Sequence, residues 1–185
     1  MTDWFETLPG LQTRLWQNLS RGLADRLHPA RHPTLATISP DGWPEARTVV
    51  LRGADQAAGT LTAHTDLHSA KIDSLRTTPR AALHVWIQKD RLQLRLTCTV
   101  ALRHGPEVAV EWARVPDLSR QSYGITPAPG TPINGALDYV KAPNVMTFTV
   151  LDFTVVHIDA VHLGQVHRRA RFQREDDWQG QWLVP

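Results

Sequence analysis

RLQLRLTCTVALR, residues 91–103, is the stretch that sets the fold class of this chain. Its apolar side chains recur at every second position, and the positions between them from Arg91 to Thr99 are polar. This period is typical of a β-strand with one buried and one exposed face. The residues predicted to face the core are Leu92, Leu94, Leu96, Cys98, Val100 and Leu102.

Strand patterns continue on both sides of this segment. Upstream, TLATIS from Thr34 and EARTVVLRG flank the turn signal Pro40-Asp41-Gly42, which predicts a hairpin. TLTAHT follows the next turn, and RAALHVWIQ is apolar enough to predict a strand buried on both faces. Downstream, the patterns that favour strands are NVMTFTVLDFTVVHID, VHLGQ, RRARFQRE and QWLVP.

Helical patterns occupy the N-terminus and two short internal segments. Leucines at steps of four predict an amphipathic helix that begins after Pro9-Gly10 and ends near Pro29; they are Leu11, Leu15, Leu19, Leu23 and Leu27. Short helices are expected from Ser69 and within GPEVAVEWARV, residues 105–115. The Pro- and Gly-rich stretch 122–135 predicts a loop over the surface, of a length that usually indicates function or an interface.

Six or seven mostly adjacent strands with two or three helices predict a mainly β fold, an antiparallel barrel with flanking helices. A chain of 185 residues fits a single domain, with a helical segment at 1–30 and the barrel with a C-terminal strand pair at 31–185. A single cysteine favours a reducing cytoplasm. The acidic N-terminus and short apolar runs predict neither export nor a membrane span.

Cationic and hydroxyl side chains converge in the block 47–71. Arg47 lies on a predicted strand, Thr65 ends the next strand, and Ser69 and Lys71 open a helix. A helix N-terminus offers unpaired N–H groups and the positive end of its dipole, so this block is a candidate phosphate cradle. The residues alone leave open the alternative that these are exposed sheet residues and a solvated lysine.

Several separated motifs in fixed order resemble the FMN-binding core of the pyridoxamine 5'-phosphate oxidase-like split-barrel family. They are RTVVLRG (47–53), LTAHTD (61–66), SAK (69–71), the strand around Trp86, RLQLRL (91–96), HRRARFQRE (167–175) and WLVP (182–185). The resemblance covers most of the chain from about Thr34 and implies a split β-barrel. It also implies a homodimer with FMN at the subunit interface and oxidoreductase activity on a small molecule.

The resemblance implies cofactor roles residue by residue. Arg47 would reach the flavin phosphate, and backbone groups of Val49 to Leu51 would meet the ring edge. Gln93 would approach the isoalloxazine, and Arg171 would help close the pocket. The complete implied FMN set is Arg47, Thr48, Val49, Val50, Leu51, Arg52, His64, Thr65, Ser69, Lys71, Gln93 and Arg171.

The chain also departs from the family pattern. Ala70 stands where many relatives have an arginine. The oxidases hold the substrate phosphate with a Tyr, an Arg and a Ser, which align with Glu111, Val115 and Ser119, so only the serine is kept. The family's C-terminal Arg-x-His becomes 167–169, His-Arg-Arg. We therefore expect a substrate other than pyridoxamine phosphate, with Ser119, His167 and Arg169 as candidate contacts.

Other functions find less support in the sequence. Pairs such as His64 with His68 or His162 with His167 lack a third ligand at a matching spacing, so no metal site is predicted. Cys98, on the apolar face of a strand, is expected to be buried and inert. Two alternatives stay open: a non-catalytic module that binds flavin or haem, and, ranked last, nucleic-acid binding through the basic cluster 167–171.

Overall fold

A computed structural model describes residues 3–185, and within this range the chain forms eleven β-strands and four α-helices. The strands are β1 (Thr34–Ile38), β2 (Pro44–Thr48), β3 (Leu51–Asp55), β4 (Thr60–Asp66), β5 (Arg80–Ile87), β6 (Leu92–His104), β7 (Ile125–Thr126), β8 (Val140–Lys141), β9 (Phe148–Leu163), β10 (His167–Gln173) and β11 (Gly180–Leu183). The helices are α1 (Leu8–Ala24), α2 (Ala70–Thr77), α3 (Ala109–Arg114) and α4 (Asp117–Arg120). Short 3-10 turns cover Trp4–Glu6, Pro29–Arg31, Gln88–Asp90, Gly105–Val108 and Arg174–Asp176.

Nine of the described strands form one sheet in the order β11-β10-β9-β6-β5-β1-β2, and the branch β4-β3 also pairs with β9. Every pairing is antiparallel. The pattern confirms the predicted mainly β class with flanking helices, but this sheet has nine strands where six or seven were predicted, because the segment 44–55 supplies two strands and β10 and β11 extend the sheet at its edge. The sheet does not close on itself, as expected of a split barrel, and β7 and β8 form a separate two-stranded ribbon.

Strand β9 is the element at which the barrel splits. One edge of this 16-residue strand pairs with β6 along nearly its whole length, from Thr149 to His162. On the other edge, β4 pairs with residues 148–154 and β10 with residues 157–163. The two branches of the sheet therefore diverge at Val155, whose N–H donates to the Gly59 carbonyl at 3.0 Å.

The predicted strand EARTVVLRG is divided in two. β2 pairs with β1, β3 pairs with β4, and Val49 and Val50 lie between them. The division has a geometric reason: the chain passes here from one branch of the sheet to the other and cannot continue a single ladder. Downstream, the strands predicted at NVMTFTVLDFTVVHID and VHLGQ join into one, β9, which starts at Phe148.

Helix α1 begins and ends earlier than its leucine pattern predicted: it starts at Leu8 and includes Pro9 and Gly10, because a proline in the first turn lacks only an N–H that has no partner within the helix. Thr7 caps it by accepting a hydrogen bond from the Gly10 N–H at 3.1 Å, and it ends at Ala24, where Asp25 turns to an extended conformation. Leu27 therefore lies outside the helix and is 93% exposed, so its place in the buried stripe was wrong. Leu11 and Leu15 are fully buried against the barrel core.

Strand β5 differs from its prediction as a strand buried on both faces. Its side chains alternate between exposed and buried from Arg80 to Ile87. The inner side chains join the core, and the outer ones leave Trp86 40% exposed. This pattern means that one face of the central sheet is open in a single chain.

Candidate functional site

A cavity of about 540 Å³ lies where β2, β3, β4 and α2 meet. Nine of the residues implied by the resemblance line it: Arg47, Thr48, Val49, Val50, Arg52, His64, Thr65, Ser69 and Lys71. The candidate substrate contact Ser119 also lines it. The structure thus brings together predicted site residues that are up to 72 positions apart in sequence, the separation of Arg47 and Ser119.

Hydroxyl groups and an ammonium form one end of the cavity. Lys71 donates from Nζ to Thr65 Oγ1 at 2.9 Å, and the Thr65 and Ser69 hydroxyls are 3.0 Å apart. Ser69 holds the N-cap position of α2, but its hydroxyl donates to the Asp66 carbonyl at 2.8 Å and does not cap the helix amides. Burial, and then the nearby Arg47, lower the pKa of Lys71.

The guanidinium of Arg47 is fixed at the same end. Its Nη2 donates to Glu45 Oε2 at 2.7 Å and its Nη1 donates to Thr37 Oγ1 at 2.6 Å. These bonds orient a half-buried guanidinium at the cavity wall. Two cations thus lie beside the first turn of α2, an arrangement suited to an anionic group.

Two buried nitrogen atoms in the cavity wall have unused hydrogen-bonding capacity. Neither Arg52 Nε nor His64 Nδ1 has a hydrogen-bond partner within the described range 3–185. Burial, reinforced by the positive charge of Arg52, lowers the pKa of His64 to about 4, so its imidazole is neutral at pH 7. Because unpaired buried polar atoms are costly, this pair indicates a polar ligand at the wall.

The predicted surface loop covers the cavity and supplies Ser122, Tyr123, Ile125 and Pro129, and Leu118 of α4 lines it as well; sequence reasoning missed all five. Asp66 attaches this loop to the strand beneath it, because its carboxylate accepts from the Gly124 N–H at 2.7 Å and from the His68 N–H at 2.8 Å. Gly124 has a φ of +98°, and a Cβ there would collide with the Ala142 carbonyl. In the sequence, the available signal was an aromatic residue, Tyr123, directly before this glycine in a polar loop.

A second cavity, of about 330 Å³, lies beside the first and shares Arg52 and His64 with it. Its remaining walls come from β3, β4, β6 and the segment of α3, namely Gly53, Thr62, Arg103, Glu111, Arg114, Val115 and Pro116. Glu111 and Val115 are two of the positions at which the chain departs from the family pattern. Arg103 donates to Asp152 Oδ2 at 2.6 Å and pairs with Glu111 Oε1 at 2.9 Å.

Other predicted site residues lie outside the first cavity within a single chain. Leu51 is a core residue, 1% exposed. Gln93 lies on β6 opposite Trp86 and Val161, and Arg171 on β10 donates to Gln181 Oε1 at 3.1 Å. The remaining candidates are His167 and Arg169, which border a separate surface cleft at the C-terminal strands. Their proposed roles remain predictions.

The basic cluster 167–171 is paired largely within the chain. Arg168 lies 3.2 Å from Glu6, and Arg169 donates to Asp159 at 2.7 Å. Cys98 is buried and its thiol pKa is raised to about 12 by burial, which agrees with the expectation of an inert thiol.

Two features of the described part of the chain bear on other classes of function. Over residues 3–185, three or more His, Cys, Asp or Glu side chains nowhere form a group suited to a metal ion. The described helices are too short or too polar to cross a membrane.

Residues 13–103 match the family model described as pyridoxamine 5'-phosphate oxidase, FMN-binding domain. A pyridoxine/pyridoxamine 5'-phosphate oxidase of Gloeothece citriformis is 37% identical over 92 residues, 50% of this chain and 41% of that protein. The corresponding protein of Microcystis aeruginosa is 45% identical over 67 residues, 36% of this chain and 30% of that protein. The matches thus span less than half the length of these relatives.

Two solved structures extend the likeness over nearly the whole chain. A pyridoxamine 5'-phosphate oxidase-related, FMN-binding protein from Nostoc punctiforme is 26% identical with a TM-score of 0.76, covering 94% of this chain and 96% of that one. PhzG from Burkholderia lata, solved with tetrahydrophenazine-1-carboxylic acid, is 19% identical with a TM-score of 0.72, covering 94% and 91%. The second likeness concerns the fold alone.

Proposed function

Because the chain belongs to the pyridoxamine 5'-phosphate oxidase-like family of FMN-binding split barrels, we propose that it is an FMN-dependent oxidoreductase acting on a small molecule. The observation that carries this proposal is the convergence of the cationic, hydroxyl and imidazole side chains on one cavity. The single cysteine, buried as a thiol, suits a protein that works in the reducing cytoplasm.

The residues at the cavity fit a phosphorylated flavin. Its volume of about 540 Å³ falls within the usual range for cofactor sites, roughly 300–1,000 Å³. Arg47 and Lys71 provide two cations for the phosphate, and the amide end of α2 adds its dipole. The unpartnered Arg52 Nε supports the fit, because a buried donor requires an acceptor and the flavin ring carries several.

When bound, FMN supplies the hydride or electron transfer, and the protein supplies binding, orientation and electrostatics. Arg47, Lys71 and Thr65 would hold the phosphate. The neutral His64 would offer a hydrogen bond at the cavity wall without adding charge. The loop attached through Asp66 would limit the access of water to the cavity.

We further propose that the chain works as a homodimer with FMN at the subunit interface. Gln93 and Arg171 lie outside the Arg47 cavity of their own chain, so a second copy is needed to bring them to a flavin bound there. The open outer face of β5, with the exposed Trp86, is the surface proposed for this contact.

The second cavity separates this proposal from the alternative of a non-catalytic flavin or haem carrier. It lies directly beside the proposed flavin site and is open to solvent, which leaves room for a substrate. A carrier would not need this space. Nucleic-acid binding through the basic cluster is disfavoured, because Arg168 and Arg169 already have carboxylate partners.

The test is the visible absorption spectrum of the protein purified after FMN supplementation. We expect the two bands of oxidised flavin, and their loss in the double variant Arg47→Ala/Lys71→Ala. The matched control is Arg26→Ala/Lys89→Ala, which removes the same charges from exposed positions away from the cavity. Absence of a flavin band in the unaltered protein, together with no binding in an FMN titration, would refute the proposal.

A further inference from the structure

The second cavity has charged side chains in its wall that indicate what it binds. It shares the walls formed by Arg52 and His64 with the proposed flavin cavity, so a ligand in it would lie next to the flavin. At about 330 Å³ it is near the lower end of ligand cavities, roughly 300 Å³. The cavity therefore suits a small molecule or one end of a larger one.

The charges around this cavity leave an excess of one positive charge. Arg103 is paired with two carboxylates, those of Glu111 at 2.9 Å and Asp152 at 2.6 Å. Arg52 and Arg114 form no ion pair with any residue from 3 to 185. His64 is neutral, because its pKa is lowered to about 4 by burial. Three cations against two carboxylates are balanced by a ligand with a single negative charge.

Glu111 gives the cavity its discrimination between anions. Burial acts to raise the pKa of Glu111, but a hydrogen bond to the backbone and then the contact with Arg103 lower it overall, so the carboxylate stays charged. It belongs to the cavity wall itself. A phosphate monoester carries a charge of about −1.5 to −2 at pH 7 and would be repelled by this carboxylate more strongly than a monoanion.

We propose that this cavity binds the carboxylate of a small organic acid substrate, and that Glu111 makes it select a carboxylate over a phosphate. The inference rests on the proposed flavin-dependent function. Arg52, which lines both cavities, provides a planar guanidinium that matches a carboxylate. Arg114, exposed on α3, completes the pair of cations.

The experiment compares benzoate with phenyl phosphate as probes of the FMN-loaded protein, by calorimetric titration at pH 7.5. We expect benzoate to bind at least about 10-fold more tightly than phenyl phosphate, because a further negative charge beside Glu111 is unfavourable by more than ~1 kcal/mol. Replacing Glu111 by Gln should remove most of this preference. The matched control is Glu107→Gln, which changes an exposed acid outside the cavity and should keep the preference.

A second variant keeps the inference testable if the Glu111→Gln protein does not fold. Arg114→Ala, at an exposed position, should weaken benzoate binding about 10-fold while FMN still binds. FMN-loaded protein that binds phenyl phosphate as tightly as benzoate, or a Glu111→Gln variant no different from Glu107→Gln, would overturn the inference. FMN binding is measured on its own, by the flavin spectrum. If FMN does not bind, the proposed function is contradicted. If FMN binds but benzoate is not preferred over phenyl phosphate, only the carboxylate selectivity is contradicted.

Discussion

Lys71 donates a hydrogen bond from its ammonium group to the hydroxyl of Thr65, 2.9 Å away, and so links the first turn of α2 to the end of β4. The Ser69 hydroxyl lies 3.0 Å from the same Thr65 oxygen. These bonds fix a cation at the cavity although burial lowers its pKa. An anion bound beside Lys71 would stabilise the charged form.

The first prediction concerns the phosphate of the cofactor. Lys71→Ala should weaken FMN binding by about 10- to 100-fold, since a hydrogen bond to a charged group contributes roughly 1.5–3 kcal/mol. Riboflavin, which lacks the phosphate, should bind equally to both proteins. Quenching of flavin fluorescence in parallel titrations gives the two affinities. Lys89→Ala, at an exposed position, is the control, and an equal loss for FMN and riboflavin would place the phosphate elsewhere.

The second prediction concerns the pH dependence of stability. The pKa of His64 falls from 6.5 to about 4 on folding, because burial disfavours the charged imidazole. The imidazole is therefore protonated near pH 6.5 in the unfolded chain but only near pH 4 in the folded chain. Stability should decrease as the pH falls from about 6.5 to about 4, because the unfolded chain binds one more proton in this range. The slope from one such group is at most about 1.4 kcal/mol per pH unit.

Urea denaturation of the unaltered protein and of His64→Gln at pH 7 and pH 5 measures this effect. The loss of stability between the two pH values should be smaller in the variant. Other histidines with lowered pKa values, namely His28, His157 and His162, contribute equally to both proteins. Identical losses in the two proteins would mean that His64 does not control this dependence.

The sequence predicted the sheet well because alternation is a local signal. The burial of Leu92 to Val100 follows the predicted face residue by residue. Leu27 continues the four-residue spacing of the leucines but lies beyond the end of the helix. The helix ends because Asp25 adopts an extended conformation, which the spacing does not indicate. The break at Val49 depends on which strands pair with β2 and β3, and a single sequence contains no direct record of such pairing.

The candidate site was predicted unevenly for the same reason. Arg47, Thr65 and Lys71 lie within 25 residues of one another in the sequence, and the predicted helix N-terminus beside them indicated a shared phosphate site. Tyr123 reaches the first cavity because a loop folds back over β4 through the Asp66 to Gly124 hydrogen bond. That contact joins residues 58 positions apart, and no periodic pattern indicates it.

The third prediction tests the proposed dimer. Trp86→Arg places a charge on the open face of β5, and burying an unpaired charge in an interface is strongly unfavourable. The variant should sediment as a monomer and bind FMN more weakly, because Gln93 and Arg171 of a second chain would no longer reach the flavin. Analytical ultracentrifugation measures the oligomeric state, and FMN titration measures the affinity for the cofactor. Trp43→Arg alters an exposed tryptophan in the β1–β2 turn and should change neither.

The last prediction concerns the point where the two branches of the sheet diverge. Arg174 donates from Nη2 to the carbonyls of Ala58 and Gly59 and from Nε to the carbonyl of Val155, each at 2.7 Å. Its guanidinium also lies 5.3 Å from the centre of the Trp178 ring. One side chain thus joins the start of β4, the middle of β9 and the turn after β10.

Arg174→Ala should lower the free energy of unfolding by about 2–4 kcal/mol, since three carbonyls lose a charged donor and part of the site is buried. Arg174→Lys should recover only part of this loss, because an ammonium cannot span all three acceptors in the fixed geometry of a guanidinium. Arg26→Ala, an exposed arginine, should change stability by less than about 0.5 kcal/mol. If Arg174→Ala proves no less stable than Arg26→Ala in urea denaturation, the junction between the two branches is held by backbone pairing alone.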